Sequence, residues 1–181
     1  MRTNQGRDNQ GFTLVELMIT ITIFGILVAI AVPSITSYMK RSKTSEAMTN
    51  LNQLYKSAAS YYSANISGKG ITSTVTSNCT VDDAGPEPAT PAGKKQSFVI
   101  KNHPAFVALS FQIADFVYYS YGVRGVGGGC GHTAEESLYT FYANGDLDAD
   151  GTLSTFELLA GTDEQNGFRH SRGLYISSET E

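Results

Sequence analysis

The sequence predicts an α+β protein: a long N-terminal α-helix, membrane-spanning in its first half, packed against a mostly antiparallel β-sheet head. Three observations carry this. Residues Phe12 to Ile35 form an apolar run in which Glu16 is the single charge. From Ser37 to Tyr62 there is no proline or glycine, and Ala47, Leu51, Leu54, Tyr55, Ala58 and Tyr62 recur at helical steps, which marks one greasy face. The rest of the chain alternates short aromatic or β-branched stretches with glycine and proline, the pattern of strands and turns folded over a helix.

Residues 1–11 are a polar leader. Residues 12–35 are long enough to cross a hydrocarbon core, which takes about 20 apolar residues. Thr13, Thr20 and Thr22 add little cost, because their hydroxyls can bond back to helix carbonyls. Pro33 has no amide hydrogen and meets the carbonyl of Ala29, so a kink or loosening is expected there; Gly25 is a second weak point. Residues 36–63 continue the helix as an amphipathic segment that ends near Asn65–Gly70.

Residues 64–181 form the head. Strands are expected at Ile71–Thr76, Ser97–Lys101, Phe116–Val123, Leu138–Ala143, Thr152–Leu159 and Leu174–Ser177. Ala84–Gly93 reads as a proline-rich loop. Gly125–Gly131 reads as a flexible glycine-rich turn, because it lacks the Gly-Lys-Ser/Thr of a phosphate loop.

The chain has 181 residues and a formal net charge of −4. Removing the leader takes away Arg2, Arg7 and Asp8 and leaves −5, so no general nucleic-acid footprint exists. Cys79 and Cys130 are the two cysteines. Outside the cytoplasm an isolated pair defaults to a disulfide; two buried free thiols are the alternative. Neither lies in a Cys-x-x-Cys, which argues against redox catalysis.

No enzymatic site is expected. His103, His132 and His170 are scattered without zinc spacing, and Glu135-Glu136 and Asp163-Glu164 read as solvated charge. No serine sits in a nucleophile elbow.

Residues 146–157, DLDADGTLSTFE, carry a second signal. Asp146, Asp148 and Asp150 alternate, Gly151 permits a tight turn, and Glu157 closes twelve residues, as in the calcium loop of EF-hands. With the Thr152 carbonyl, these side chains offer much of the oxygen shell that Ca2+ takes as a structural cofactor. The flanks read as strands rather than helices, so Glu157 is the ligand most exposed to that difference. An ion-free acidic turn is the alternative.

The junction at Gly11-Phe12 raises the functional question. A lone carboxylate at mid-bilayer costs about 2.5–3.5 kcal/mol on insertion scales, so Glu16 needs a use. Three readings compete: a plain membrane anchor, a secretory signal cut after Ala29-Ile30-Ala31, and a prepilin. Gly11-Phe12-Thr13-Leu14-Val15-Glu16, continuing through Leu17-Met18-Ile19 and Gly25–Pro33, resembles the processing site of type IV prepilins and the related pseudopilins of type II secretion. The residues from Gly145 to Phe156, a later Gly173-Leu174-Tyr175 and Ala114–Tyr121 are similar to a bacterial pilin subgroup. The chain departs from pilins whose disulfide closes a C-terminal loop, because nothing after Cys130 can pair with it.

The resemblance implies cleavage between Gly11 and Phe12 by a prepilin peptidase and methylation of the new Phe12 amine. An assembly platform in the bacterial inner membrane then builds a helical filament of this or other pilins outside the cell. The new ammonium would lie on the same helical face as Glu16. Pairing of Glu16 with a neighbour's Phe12 would relieve the cost of a lone buried charge and set the axial step. Lys40, Arg41 and Lys43 outnumber Arg2 and Arg7, so charge counting alone places the head inside the cell; the resemblance implies the opposite. The expected function is a structural subunit of a type IV pilus-like filament for adhesion, motility or DNA uptake. A type II secretion pseudopilin in the periplasm and a non-polymerising membrane-anchored calcium-binding module are the alternatives. No direct nucleic-acid contact is expected.

Overall fold

The computed structural model describes residues 11–64, 66–67 and 75–179. Leader residues 1–10 and the first part of the strand expected at Ile71–Thr76 lie outside the described residues. Helix α1 runs from Leu14 to Ser63 with Pro33 inside it. The chain divides after Met39 into two units, each described by itself.

In the first unit, α1 is apolar and, among the described residues, uncovered on every side. Phe12 is 85%, Phe24 70% and Ile30 70% exposed. Thr20 and Thr22 donate to the carbonyls of Leu17 and Met18, so their hydroxyls are satisfied within the helix. The helix is long and apolar enough to cross a membrane.

In the second unit, the remainder of α1 buries one stripe: Thr44, Ala47, Asn50, Leu51, Leu54, Ala58 and Tyr62. Ala47, Leu51, Leu54, Ala58 and Tyr62 are members of the helical repeat read from the sequence; Tyr55 of that repeat is half-buried, and Thr44 and Asn50 add to it. The stripe packs in one core with Tyr119, Tyr121, Tyr139, Phe141, Phe156 and Leu158 of the sheet. The sheet strands are β3 (Ala84–Glu87), β4 (Ser120–Gly125), β5 (Ser137–Gly145), β6 (Ser154–Thr162), β7 (Phe168–His170) and β8 (Tyr175–Ser177). Their order is β3-β4-β5-β6-β7, with β8 also on β6, and every described pairing in this sheet is antiparallel. A separate ribbon joins β1 (Ile66–Ser67) to β2 (Val75–Thr76). On the outer sheet face, Tyr142 covers Gly122, where a Cβ would collide with its ring. The Arg124 guanidinium sits 4.2 Å from the Tyr142 ring centroid, a cation–π contact.

Three expectations are corrected. Ser97–Lys101 is no strand: it leads into a 3-10 turn at Ile100–Asn102 and helix α2 at Pro104–Ala108. Its Phe98 ring instead packs on Phe106, Phe111 and Tyr121 at centroid distances of 5.4, 5.5 and 6.3 Å. The proline-rich loop begins as strand β3, an edge position where proline's missing donor costs no ladder bond. Strand β7 was not expected at all.

Candidate functional site

The first site is the start of α1. Thr13 stands just before the helix and Glu16 three residues later, which is the spacing of a capping box. The Glu16 amide donates to Thr13 Oγ1 at 3.2 Å. The Thr13 amide and hydroxyl donate to Glu16 Oε2 at 2.8 and 2.6 Å. Two otherwise orphaned helix N–H groups are thereby satisfied. Gly11 and Phe12 precede this cap and are exposed. The carboxylate therefore has local partners, while its apolar surroundings have none among the described residues of this unit.

The second site is the acidic loop between β5 and β6. Oxygens of Asp146, Asp148 and Asp150 come within 4.8 Å of one another. The loop turns through positive φ at Ala149 (62°) and Gly151 (88°), and glycine makes the second of these inexpensive. The Gly151 amide donates to Asp146 Oδ2 at 3.2 Å, and the Thr152 amide to Asp150 Oδ1 at 2.7 Å. Asp146 is 9% exposed, and its Oδ1 is buried without a hydrogen-bond partner among the described residues. Lys40 Nζ meets Asp148 Oδ2 at 2.8 Å and holds that carboxyl below the usual range.

Glu157 does not join this group. It lies within β6 opposite Tyr142 and Tyr175, between the buried Phe156 and Leu158. Strand alternation sends it to the other face of the sheet. An EF-hand has a helix after its twelve-residue loop, whereas here strand β6 follows. The Lys40–Asp148 contact was missed by sequence reasoning, since 108 residues separate the partners and no local spacing connects them.

The third constellation is structural. Cys79 and Cys130 are disulfide-bonded, which resolves the thiol alternative. The bond ties the segment before β3 to the glycine-rich turn. Asp82 Oδ1 and Asp83 Oδ1 accept the Gly128 and Gly125 amides at 2.7 and 2.8 Å, and Thr80 pairs with Gly129. These bonds pin a segment that reads as flexible in sequence.

The histidines sit apart. His103 lies 3.3 Å from Glu87, and His132 lies 2.9 Å from Glu136. His170 packs edge-on to Tyr55. Hydrogen bonds from Thr133 and then His132 lower the Glu136 carboxyl; Arg169 pairs with Asp163 and lowers it likewise.

The C-terminal edge is fastened by strand pairing and by phenols of α1. The Tyr62 hydroxyl donates to Asn166 Oδ1 at 2.8 Å, and the Tyr55 hydroxyl to the Phe168 carbonyl at 3.3 Å. The Thr44 hydroxyl donates to the Glu179 carbonyl at 3.1 Å.

The family model described as "Prokaryotic N-terminal methylation motif" matches residues 6–32. Over 55 residues, 30% of this chain, the sequence is 54% identical to the type IV major pilin protein PilA of Myxococcus xanthus; the match spans 25% of that protein's length. Over 106 residues, 57% of this chain, it is 40% identical to a fimbrial protein of Pseudomonas aeruginosa and spans 67% of it. The type IV major fimbrial protein FimA of Dichelobacter nodosus is 49% identical over 45 residues, 25% of this chain and 29% of that protein. No solved structure matches the chain.

Proposed function

This chain belongs to the type IV pilins, and we propose that it is a structural subunit of an extracellular pilus filament. It is a structural protein rather than an enzyme. The observation that carries the filament reading is the first half of α1, which exposes large apolar side chains on every side and carries one carboxylate. Such a surface is stable in lipid as a precursor, and in a bundle of like helices after assembly. The names of the relatives, pilins and fimbrial proteins, favour a pilus over a secretion pseudopilus.

In this reading the chain is processed between Gly11 and Phe12 by a prepilin peptidase and passes from the inner membrane to an assembly platform. The freed Phe12 ammonium of one subunit then meets Glu16 of another. Glu16 exchanges its local Thr13 donors for that cation, so the carboxylate is never left bare in an apolar medium. Lys40 and its neighbours Arg41 and Lys43 follow the apolar segment without reversing this topology. Adhesion, surface motility or DNA uptake is the expected use of the filament.

The test is mass spectrometry of material sheared from the cell surface. The expected result is an abundant chain that begins at a methylated Phe12. A chain that begins elsewhere, or that stays in the envelope without shear-released polymer, overturns the reading.

A further inference from the structure

The acidic loop is more than an exposed cluster of carboxylates. One member, Asp146, is buried, and its Oδ1 has no donor among the described residues. A buried carboxylate oxygen without a partner is costly, by the full desolvation of a charged acceptor. Beside it stand Asp148 and Asp150, with ligand oxygens of all three within 4.8 Å of one another. Two oxygens on one calcium ion, each at about 2.3–2.6 Å, lie at most about 4.6–5.2 Å apart. The three carboxylates therefore already lie within the span of a single coordination sphere.

We propose that this loop is a calcium site built from Asp146, Asp148 and Asp150, and that calcium takes Asp148 from Lys40 when it binds. Asp146 supplies the buried oxygen that lacks a donor. Asp148 and Asp150 are exposed and close the sphere from the solvent side, with water and backbone carbonyls completing it. Glu157 takes no part, so the site has three carboxylates where an EF-hand has a bidentate glutamate in addition. Lys40 partly offsets the loop's negative charge in the ion-free protein through its 2.8 Å contact with Asp148. A divalent ion brings twice the charge, and Lys40 then competes with it for one ligand. The loop is tied to α1 in the absence of calcium and loses this tie in its presence.

With three carboxylates and a competing lysine, affinity is expected in the ~0.1–1 mM range of extracellular calcium modules. The experiment measures calcium binding by titration calorimetry on the detergent-solubilised full chain, together with its melting temperature in calcium and in chelator. The expected result is saturable binding with a higher melting temperature in calcium. Asp150→Asn, an exposed change that keeps the fold's contacts, is expected to weaken binding at least about tenfold. Lys40→Gln is expected to tighten it about two- to fivefold, the worth of an exposed ion pair. Absence of binding at millimolar calcium in the folded wild-type chain overturns the site, as does an equal response to magnesium. Unchanged affinity in Lys40→Gln overturns the exchange.

Discussion

The two halves of α1 obey different solvents. Between Leu14 and Met39 the helix exposes Leu, Ile, Val, Phe and Met all round. Beyond Lys40 the same helix buries one stripe and turns polar side chains outward. The first half is helical throughout but its side chains are uncovered among the described residues, so it is finished only by lipid or by other helices. The second half is finished within its own chain. Secondary structure alone does not separate them; the angular distribution of apolar residues does. Assembly and subunit stability should therefore respond to different substitutions.

The sharpest way to break that comparison is at Glu16. Glu16→Ala is expected to leave membrane insertion intact and to abolish or strongly reduce filament recovery by shearing. Normal filaments from this variant would mean that assembly does not use the charge. In the second half, Leu54 is fully buried. Leu54→Ala is expected to destabilise the subunit by about 2–5 kcal/mol in urea unfolding of the solubilised chain, whereas Ile26→Ala, in the exposed half, should leave that unfolding unchanged. A smaller effect is expected at Tyr62, whose hydroxyl donates to Asn166. Tyr62→Phe should cost about 1 kcal/mol and raise hydrogen exchange first around β7.

The smallest effect appears only in alkali. Burial pushes the Tyr139 phenol up to about 12 and raises Tyr121 and Tyr119 as well, above the ~10 of unfolded tyrosine. The unfolded chain then loses protons first. The stability that Tyr139 contributes in this way is complete below pH 10 and is lost as pH rises from 10 through 12, and the other two raised phenols act in the same direction. Melting temperature across that window checks it; a flat profile would mean the phenols are hydrated.

The helix was legible because both of its patterns are local: an unbroken apolar run, then a three-to-four-residue stripe. Strands β5 and β6 were legible through their alternation and turn residues. Ser97–Lys101 misled because Phe98 is buried by aromatic packing rather than by strand pairing. Strand β3 was hidden by Pro86, which an edge tolerates and a central strand does not. In the acidic loop, the three aspartates were visible from spacing, while the exclusion of Glu157 follows from strand alternation after Ser154. The Lys40 contact was invisible, since tertiary packing alone brings the stem to the loop.

The Cys79–Cys130 bond has a mechanical consequence. Its partners are 51 positions apart, and a fully stretched chain spans about 3.3–3.6 Å per residue. A subunit pulled from its two ends thus withholds roughly 170–180 Å of contour until that bond is reduced. Under load, the head can yield only by peeling strands outside the closed ring, which caps how far one subunit lengthens before the pull passes to the next.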